Sequence, residues 1–361
     1  MPEIMGTTKI SGNVIYYDDF TAIEHKEEQR TGKGGRSKFV NINYTYTVAV
    51  ILGLCEGKID GIGRVWRNKD IFTYPSDEIE LTLYDGSQHS PWSYTATKHP
   101  SKALTYDVLA YMAGVVDLGA TSALPNFNFE VRGKLLDTGD GVDVNPADYI
   151  QYILEKIGLK DTQIEGLDNF REYCREADIL ISSPPETGAS EAQKIINDIA
   201  ELAGAYVFWS NDRFKIVPTY DAPVGNWRPE KRVIYDLTEE DFLPQGDRLV
   251  KYQRKDTSAA HNQITVEFIN RANFYERESV SYEDTKSIEA IGLKAAPAKA
   301  CHYIYTKERA ARYAERLCRA SVYGRNLYTF KLDWAFCRLE PGDVVTLSDK
   351  SIGIERQPVI I

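Results

Sequence analysis

Polar and apolar residues alternate along NFNFEV, residues 126 to 131 after Leu124-Pro125, as a strand with one covered face requires. The longer run FVNINYTYTVAVILGL, from Phe39, is rich in β-branched and aromatic residues with partial period-two alternation and predicts another strand. GKIDGIGRVWRNKDIF follows, with Gly57, Gly61 and Gly63 punctuating short strands, and IELTLYDG is an alternating run closed by the turn pair Asp85-Gly86. The first 140 residues therefore read as predominantly β. ALTYDVLAYMAG stays open between two periods: Leu104, Val108 and Tyr111 line one side of a helix, whereas Tyr106, Val108, Ala110 and Met112 alternate on a strand. Residues 1 to 37 carry few apolar runs. They end in RTGKGGRSK, whose three glycines and four basic residues predict a flexible, solvated arm.

After residue 144 the period changes. Asn145 suits a helix cap, Pro146 its first turn, Ile150, Ile153, Leu154 and Ile157 form one apolar stripe, and Gly158 ends it. A second helix is expected from Ser190, whose hydroxyl and Gln193 suit a capping box, through Ile195, Ile196, Ile199 and Leu202 to Gly204. AYVFWSNDRFKIVP adds two short strands joined by Ser210-Asn211-Asp212, so residues 145 to 220 form a small α+β unit. YDAPVGNWRPEKR, with Pro223, Gly225 and Pro229, reads as a connector. NQITVEFIN and LYTFKLDWAF are strand-like and flank a helix from about Lys307 to Val322 that buries Ala310, Tyr313, Ala314 and Leu317. The final QPVII ends inside an apolar run without turn or cap, so the natural chain is expected to continue past Ile361.

A length of 361 residues allows two or three domains, and 43% hydrophobic with 27% charged residues is an ordinary globular balance. No run approaches the roughly 18 to 20 apolar residues of a membrane span, and no charged-then-apolar leader opens the chain. Synthesis in a bacterial cytoplasm without a membrane span is the expectation. The net charge of −10 opposes attraction to a phosphate backbone, so specific nucleic-acid binding is not expected; an acidic lining that repels passing DNA fits instead. Cys55, Cys174, Cys301, Cys318 and Cys337 are odd in number and widely spaced, and read as reduced core thiols.

Candidate chemistry is sparse. His25, His89, His99, His261 and His302 are scattered and fit no nucleophile or metalloprotease frame, which places them on surfaces or loops. The pair Glu239 and Glu240 is what 53 acids produce by chance, not a glycosidase dyad. DTGDGVDVNPAD sets Asp137 and Asp148 where the first and twelfth ligands of a calcium loop fall, but Gly139 and Gly141 replace ligands and Val142 replaces the required glycine. It reads as a turn feeding the Asn145 cap. RTGKGGRSK lacks the glycine spacing of a phosphate loop, and NYT at Asn43 is a strand fragment. The 23 tyrosines and 5 tryptophans point to core packing first and subunit contact second. No catalytic, cofactor-binding or metal-binding residue is assigned.

Several segments taken together resemble the tail hub, or tail-tip attachment, proteins of long-tailed bacteriophages and gene transfer agents. CEGKIDGIGRVWRNKDIF, with Gly57, Gly61 and Trp66, is similar to the family's Gly-x-Ile segment before an Arg-Val-Trp strand. LTYDVLAYMAGVVDLGATSALPNFNFEV resembles its longest signature, through Tyr106, Leu118, Gly119, Pro125, Phe127 and Phe129, and tips the open element toward strand. DVNPADYIQYIL (Pro146), VFWSNDRFKIVP (Trp209), DLTEEDFL (Asp241), NQITVEFINRANFY and LEPGDVVTL (Pro341, Gly342, Asp343) follow in the family's order. Residues 1 to 37 are not covered, and Gly342 stands where relatives often carry Met.

The resemblance implies a β-dominant α+β fold. Two β-barrel-like hub domains, residues 38–144 and 236–361, would enclose a smaller α+β domain at 145–235. It further implies a homotrimer forming a pseudo-sixfold ring at the virion tail tip, linking tail tube to tip around the DNA exit channel. Its partners would be the distal tail and tape-measure proteins and downstream tip or receptor-binding domains. No cofactor and no enzymatic activity are expected. The aromatic content keeps an alternative in view, a carbohydrate-active enzyme or glycan-binding module at the bacterial envelope.

Overall fold

The computed structural model describes residues 2–31, 37–136, 138–185, 192–230, 232–244, 248–256 and 260–361. Strand accounts for 42% and helix for 22%, so the fold is α+β and β-dominant. The chain divides into two compact units, Met1–Asp143 with Ser182–Ala189, and Val144–Ile181 with Ser190–Ile361.

The first unit holds strands β1 (Thr7–Ser11), β2 (Asn13–Thr31), β3 (Ser37–Glu56), β4 (Gly61–Arg67), β5 (Asp70–Thr73) and β6 (Thr82–Asp85). Helix α1 (Ser93–Lys98) and strands β7 (Leu109–Gly119) and β8 (Phe127–Arg132) complete it. They form two four-stranded sheets, ordered β1-β8-β4-β5 and β2-β3-β7-β6. Successive side chains of a strand point to opposite faces. Val48, Val50, Leu52 and Leu54 of β3 and Ala110 and Met112 of β7 thus turn inward, against Ile10, Phe127, Phe129 and Val131 of the other sheet. Ala49, Ile51, Tyr111 and Ala113 face the other way, under Trp92 and Tyr94. Each large side chain fully buried here contributes about 1.5–3 kcal/mol.

The open element resolves as strand β7, and the preceding Leu104 and Val108 are 60% and 66% exposed. One expectation is corrected. Residues 7–31 are not an irregular arm but strands β1 and β2, the latter paired with β3 from Asn13↔Gly53 to Thr31↔Ser37. The outer part of β2 is polar because no core lies over it, so the apolar alternation that betrays most strands is missing. Residues 32–36 of the glycine-rich stretch lie outside the described residues.

The second unit begins with α2 (Pro146–Lys156), whose Asn145 cap accepts the Ala147 N–H at 2.9 Å. The turn before it is closed by Asp140, which accepts the Val142 and Asp143 amides at 2.9 and 2.7 Å, as expected of a turn feeding the cap; Asp137 lies outside the described residues. Ile157 is 57% exposed because it caps the helix rather than continuing its buried stripe. Strand β9 (Ile164–Glu165) and helix α3 (Leu167–Glu176) follow. The sequence offered no clear sign of α3, since only Phe170, Tyr173 and Cys174 are buried in a largely charged stretch. Helix α4 (Ala192–Ala203) buries Ile196, Ile199 and Leu202, while the expected cap Ser190 lies outside the described residues.

Strands β10 (Ala205–Ser210) and β11 (Arg213–Pro218) make the expected hairpin, whose Asn211 and Asp212 both take left-handed angles, φ 51° and 60°. Beyond them lie β12 (Val233–Leu237), β13 (Val250–Arg254), β14 (Gln263–Asn270), β15 (Glu276–Glu283), α5 (Thr285–Ile291) and β16 (Lys299–Ala300). Then come α6 (Lys307–Tyr323), β17 (Asn326–Phe330), β18 (Val344–Asp349) and β19 (Ile354–Ile360). Sheets β15-β14-β16, β12-β18-β19 and the pair β13-β17 use these strands, and Leu237, Phe242, Val250, Val345 and Leu347 form a core.

Helix α6 buries Ala310, Tyr313, Ala314 and Cys318, whereas Leu317 is only half-buried. LYTFKLDWAF is strand only to Phe330 and ends in a 3-10 turn at Trp334–Phe336. All five cysteines are free thiols; four are buried, which pushes Cys55 up to about 12 and Cys301 to about 11. Cys337, expected in a core, is exposed because it caps that turn. Among the described residues no helix is long and apolar enough to cross a membrane.

Candidate functional site

Strand β7 stops at Gly119, opposite Tyr46. Beyond that point β2 and β3 run on as a two-stranded ribbon, with Ala22↔Tyr46, Glu24↔Tyr44, Lys26↔Ile42 and Glu28↔Val40 in register. Cross-strand partners share a face. One face of the ribbon therefore carries Tyr46, Tyr44, Ile42 and Val40 beside Ala22, Glu24 and Lys26. Phe20 joins it, stacking on Tyr46 at 5.3 Å. The other face carries Thr47, Thr45, Asn43 and Asn41 beside Ile23, His25 and Glu27. Phe20, Val40, Ile42 and Tyr44 are 45–47% exposed.

The ribbon leaves the body at an irregularity. Register shifts between Asp18 and Thr21, and Asp19 takes a left-handed φ of 53°. Segment 93–102 grips this bulge from one side. The Tyr94 hydroxyl donates to Asp19 Oδ2 at 2.8 Å, His99 Nε2 lies 2.8 Å from the same oxygen, and Lys102 Nζ is 2.5 Å from Asp18 Oδ2. Tyr94 is held in turn by stacking on Trp92 at 4.7 Å and by Lys98 Nζ at 3.2 Å. These donors hold both carboxyls below the usual carboxylate range. For Asp19 the His99 bond acts first and then Tyr94; for Asp18 it is the Lys102 bond and then the Asp19 amide.

Asp18, Asp19 and His99 offer ligand atoms within 4.8 Å of one another, a donor set that suits a cation. Lys102 and Tyr94 already satisfy the two carboxylates, so the cluster closes on its own side chains. No sequence signal announced it, because the two acids lie 80 residues from the histidine in a stretch read as an arm.

The residues singled out by the resemblance do not converge on one point. Gly57 (φ 84°) ends β3 and donates to the Val108 carbonyl at 2.7 Å, Gly61 opens β4, and buried Trp66 lies 4.3 Å under the Lys9 ammonium. Tyr106 (φ 52°) meets Tyr111 edge-on at 5.8 Å, while Phe127 and Phe129 stack in the core. Leu118, Gly119 and Pro125 do come together, with Arg67, Asp117 and Leu124, around a shallow depression of about 340 Å³.

In the second unit Pro146 opens α2 and Trp209 is 59% exposed against the edge of Phe214. Asp241 accepts from the Thr238 amide and hydroxyl. At Pro341-Gly342-Asp343 a turn forms in which Gly342 has φ 96° and Asp343 accepts the Glu340 amide at 2.8 Å. That angle favours glycine. Of the remaining histidines, His25 Nε2 bonds Thr45 Oγ1 at 2.7 Å, and His89, His261 and His302 lie outside the bulge cluster.

Residues 191–359 match the family described as "Putative phage tail protein". A chain in the virion of a native gene transfer agent particle is 17% identical with a TM-score of 0.70, over 99% of this chain and 79% of that one. A prophage tail protein gp18 from Listeria monocytogenes is 10% identical over 91% and 86% of the two chains, TM-score 0.32. A 43 kDa tail protein of prophage MuSo2 from Shewanella oneidensis is 9% identical over 99% and 92%, TM-score 0.35. No curated protein matches. The first structural likeness extends one shared fold along almost the whole chain. Together with the family match it bears out the resemblance to phage and gene-transfer-agent tail proteins.

Proposed function

We propose that this chain is a structural tail protein acting as the hub at the tail tip, where three copies form a ring that links tube to tip around the DNA exit channel. The supporting observation is the tail-protein family match over residues 191–359, within a fold shared with a gene-transfer-agent virion chain at TM-score 0.70. The proposed architecture is two β-rich hub domains with the α+β segment 145–235 between them. Distal tail and tape-measure proteins are the proposed neighbours. The physical role is wall-building rather than bond-making. A net charge of −10 suits a channel wall, since like charge keeps passing DNA from sticking.

Antibody against this chain, imaged on negatively stained tails, is expected to decorate the distal end. Decoration along the tube or at the head-proximal end would overturn the tip assignment.

A further inference from the structure

We propose that the bulge at the base of the β2–β3 ribbon is an acid-released hinge: Tyr94, His99 and Lys102 latch it, and residues 21–27 with 40–45 swing as one arm when the latch opens. The proposal concerns the movement of the arm and is independent of the tail reading.

Two discontinuities fall at one level of the ladder. Strand β2 slips register between Asp18↔Ala49 and Thr21↔Thr47, and within the slip Asp19 takes a left-handed φ of 53°. An irregularity of this kind leaves residues unpaired and bends the strand. Strand β7, the third neighbour, ends with Gly119 opposite Tyr46. The ribbon thus loses continuous pairing and its flanking strand together, which concentrates bending at that level.

The two faces of this level are held by different chemistry. On one, Phe20 stacks on Tyr46 at 5.3 Å, and Tyr46 packs against the core that holds Val48 and Val50. That contact is apolar and does not respond to protons. On the other face, where Ala49 lies under Trp92 and Tyr94, the hold is polar. The Tyr94 hydroxyl and His99 Nε2 each lie 2.8 Å from Asp19 Oδ2, and Lys102 Nζ lies 2.5 Å from Asp18 Oδ2. Tyr16 and Lys98 are the other titratable groups beside the two acids, and β3 sets only Thr47, Val48 and Ala49 opposite them. Both carboxyls titrate below their usual range, because these donors favour the ionised form. Protonation removes the charges that the donors hold. What remains is the apolar contact on the opposite face, which serves as a pivot rather than a clamp.

The test places nitroxide spin labels at Asn41→Cys on the arm and Glu78→Cys on the body of the first unit. The full chain is used, with Cys337→Ser so that no other exposed thiol is labelled. At pH 7 the parent is expected to give one narrow distance. Tyr94→Phe with His99→Ala removes both side-chain donors to Asp19 and is expected to add a second, broader population at pH 7; Lys102→Ala should add a smaller one. In the parent that population should appear only at about pH 3, below the ordinary carboxylate value near 3.9. Amide protection of β7 reports whether the sheet is intact. If acid unfolds the unit as a whole, the variants at pH 7 decide; if the double variant loses β7 protection, Lys102→Ala decides. A single unchanged distance in the variants, with β7 protected, overturns the hinge. An intact parent that stays narrow at about pH 3 overturns its release by acid.

Discussion

The two halves of strand β3 share one backbone ladder with β2 and differ in everything laid upon it. From Val48 to Cys55 the apolar side chains are at most 2% exposed, between a second sheet on one face and Trp92 and Tyr94 on the other. Val40, Ile42 and Tyr44, on the same strand, are 45–47% exposed. Pairing with β2 cannot account for the contrast, because both halves share it. What changes is the supply of third neighbours: β7 ends at Gly119 and no described strand flanks β3 beyond it. Cohesion in the inner half comes from burial, whereas the outer half keeps apolar surface whose stabilisation is still to be drawn from elsewhere.

Two isoleucines of this strand sharpen the contrast most. Ile51, 1% exposed, replaced by alanine is expected to destabilise the first unit by about 2–5 kcal/mol through lost burial and the cavity left behind. Ile42→Ala, at a side chain 45% exposed, is expected to change it by no more than about 0.5 kcal/mol. Urea unfolding of the two variants gives the comparison. Equal losses would mean that the outer half is already covered within a single chain.

A smaller effect is expected at the junction. Asp18 and Asp19 titrate below their ordinary range because cationic and hydroxyl donors favour the ionised form. Their contribution is thus present above the unfolded carboxylate value near 3.9 and is lost as pH falls through the lower folded values. Amide exchange of residues 20–27, corrected for intrinsic rates, should stay slow from pH 7 to 5 and accelerate on further acidification, while strand β7 stays protected. Asp19→Asn should bring the same severalfold acceleration at neutral pH and remove most of the acid response. A ribbon indifferent to both would show that the grip on the bulge does not hold it.

Much of this architecture was legible in the sequence because each signal had one local cause. Asn145-Pro146 starts a helix, Asn211-Asp212 turns a hairpin through left-handed angles, and the alternation from Phe39 makes a strand. Other features depended on partners remote in the chain. Strand β2 escaped notice because residues 21–27 are mostly polar and exposed on both faces, and the Asp19–His99 contact joins segments 80 residues apart that share no periodicity. The tail-protein resemblance rested on the order of many weak segments, so it reported the fold well and pointed to no single site. Its residues, such as Phe129 in the core and Gly342 in a turn, are mostly scaffolding.

The smallest effect is expected at the rim of the ribbon. Lys26 Nζ lies 3.1 Å from Glu24 Oε1, with the two side chains 60% and 40% exposed. An ion pair this wet is worth about 0.2–1 kcal/mol, screened further by salt. Lys26→Ala should therefore leave the unfolding midpoint of the monomer almost unchanged, and high salt should erase what remains. Urea unfolding of Lys26→Ala beside the parent, at low and at high salt, checks this. A loss well above about 1 kcal/mol that persists at high salt would show that the pair is shielded from water within the chain rather than wet.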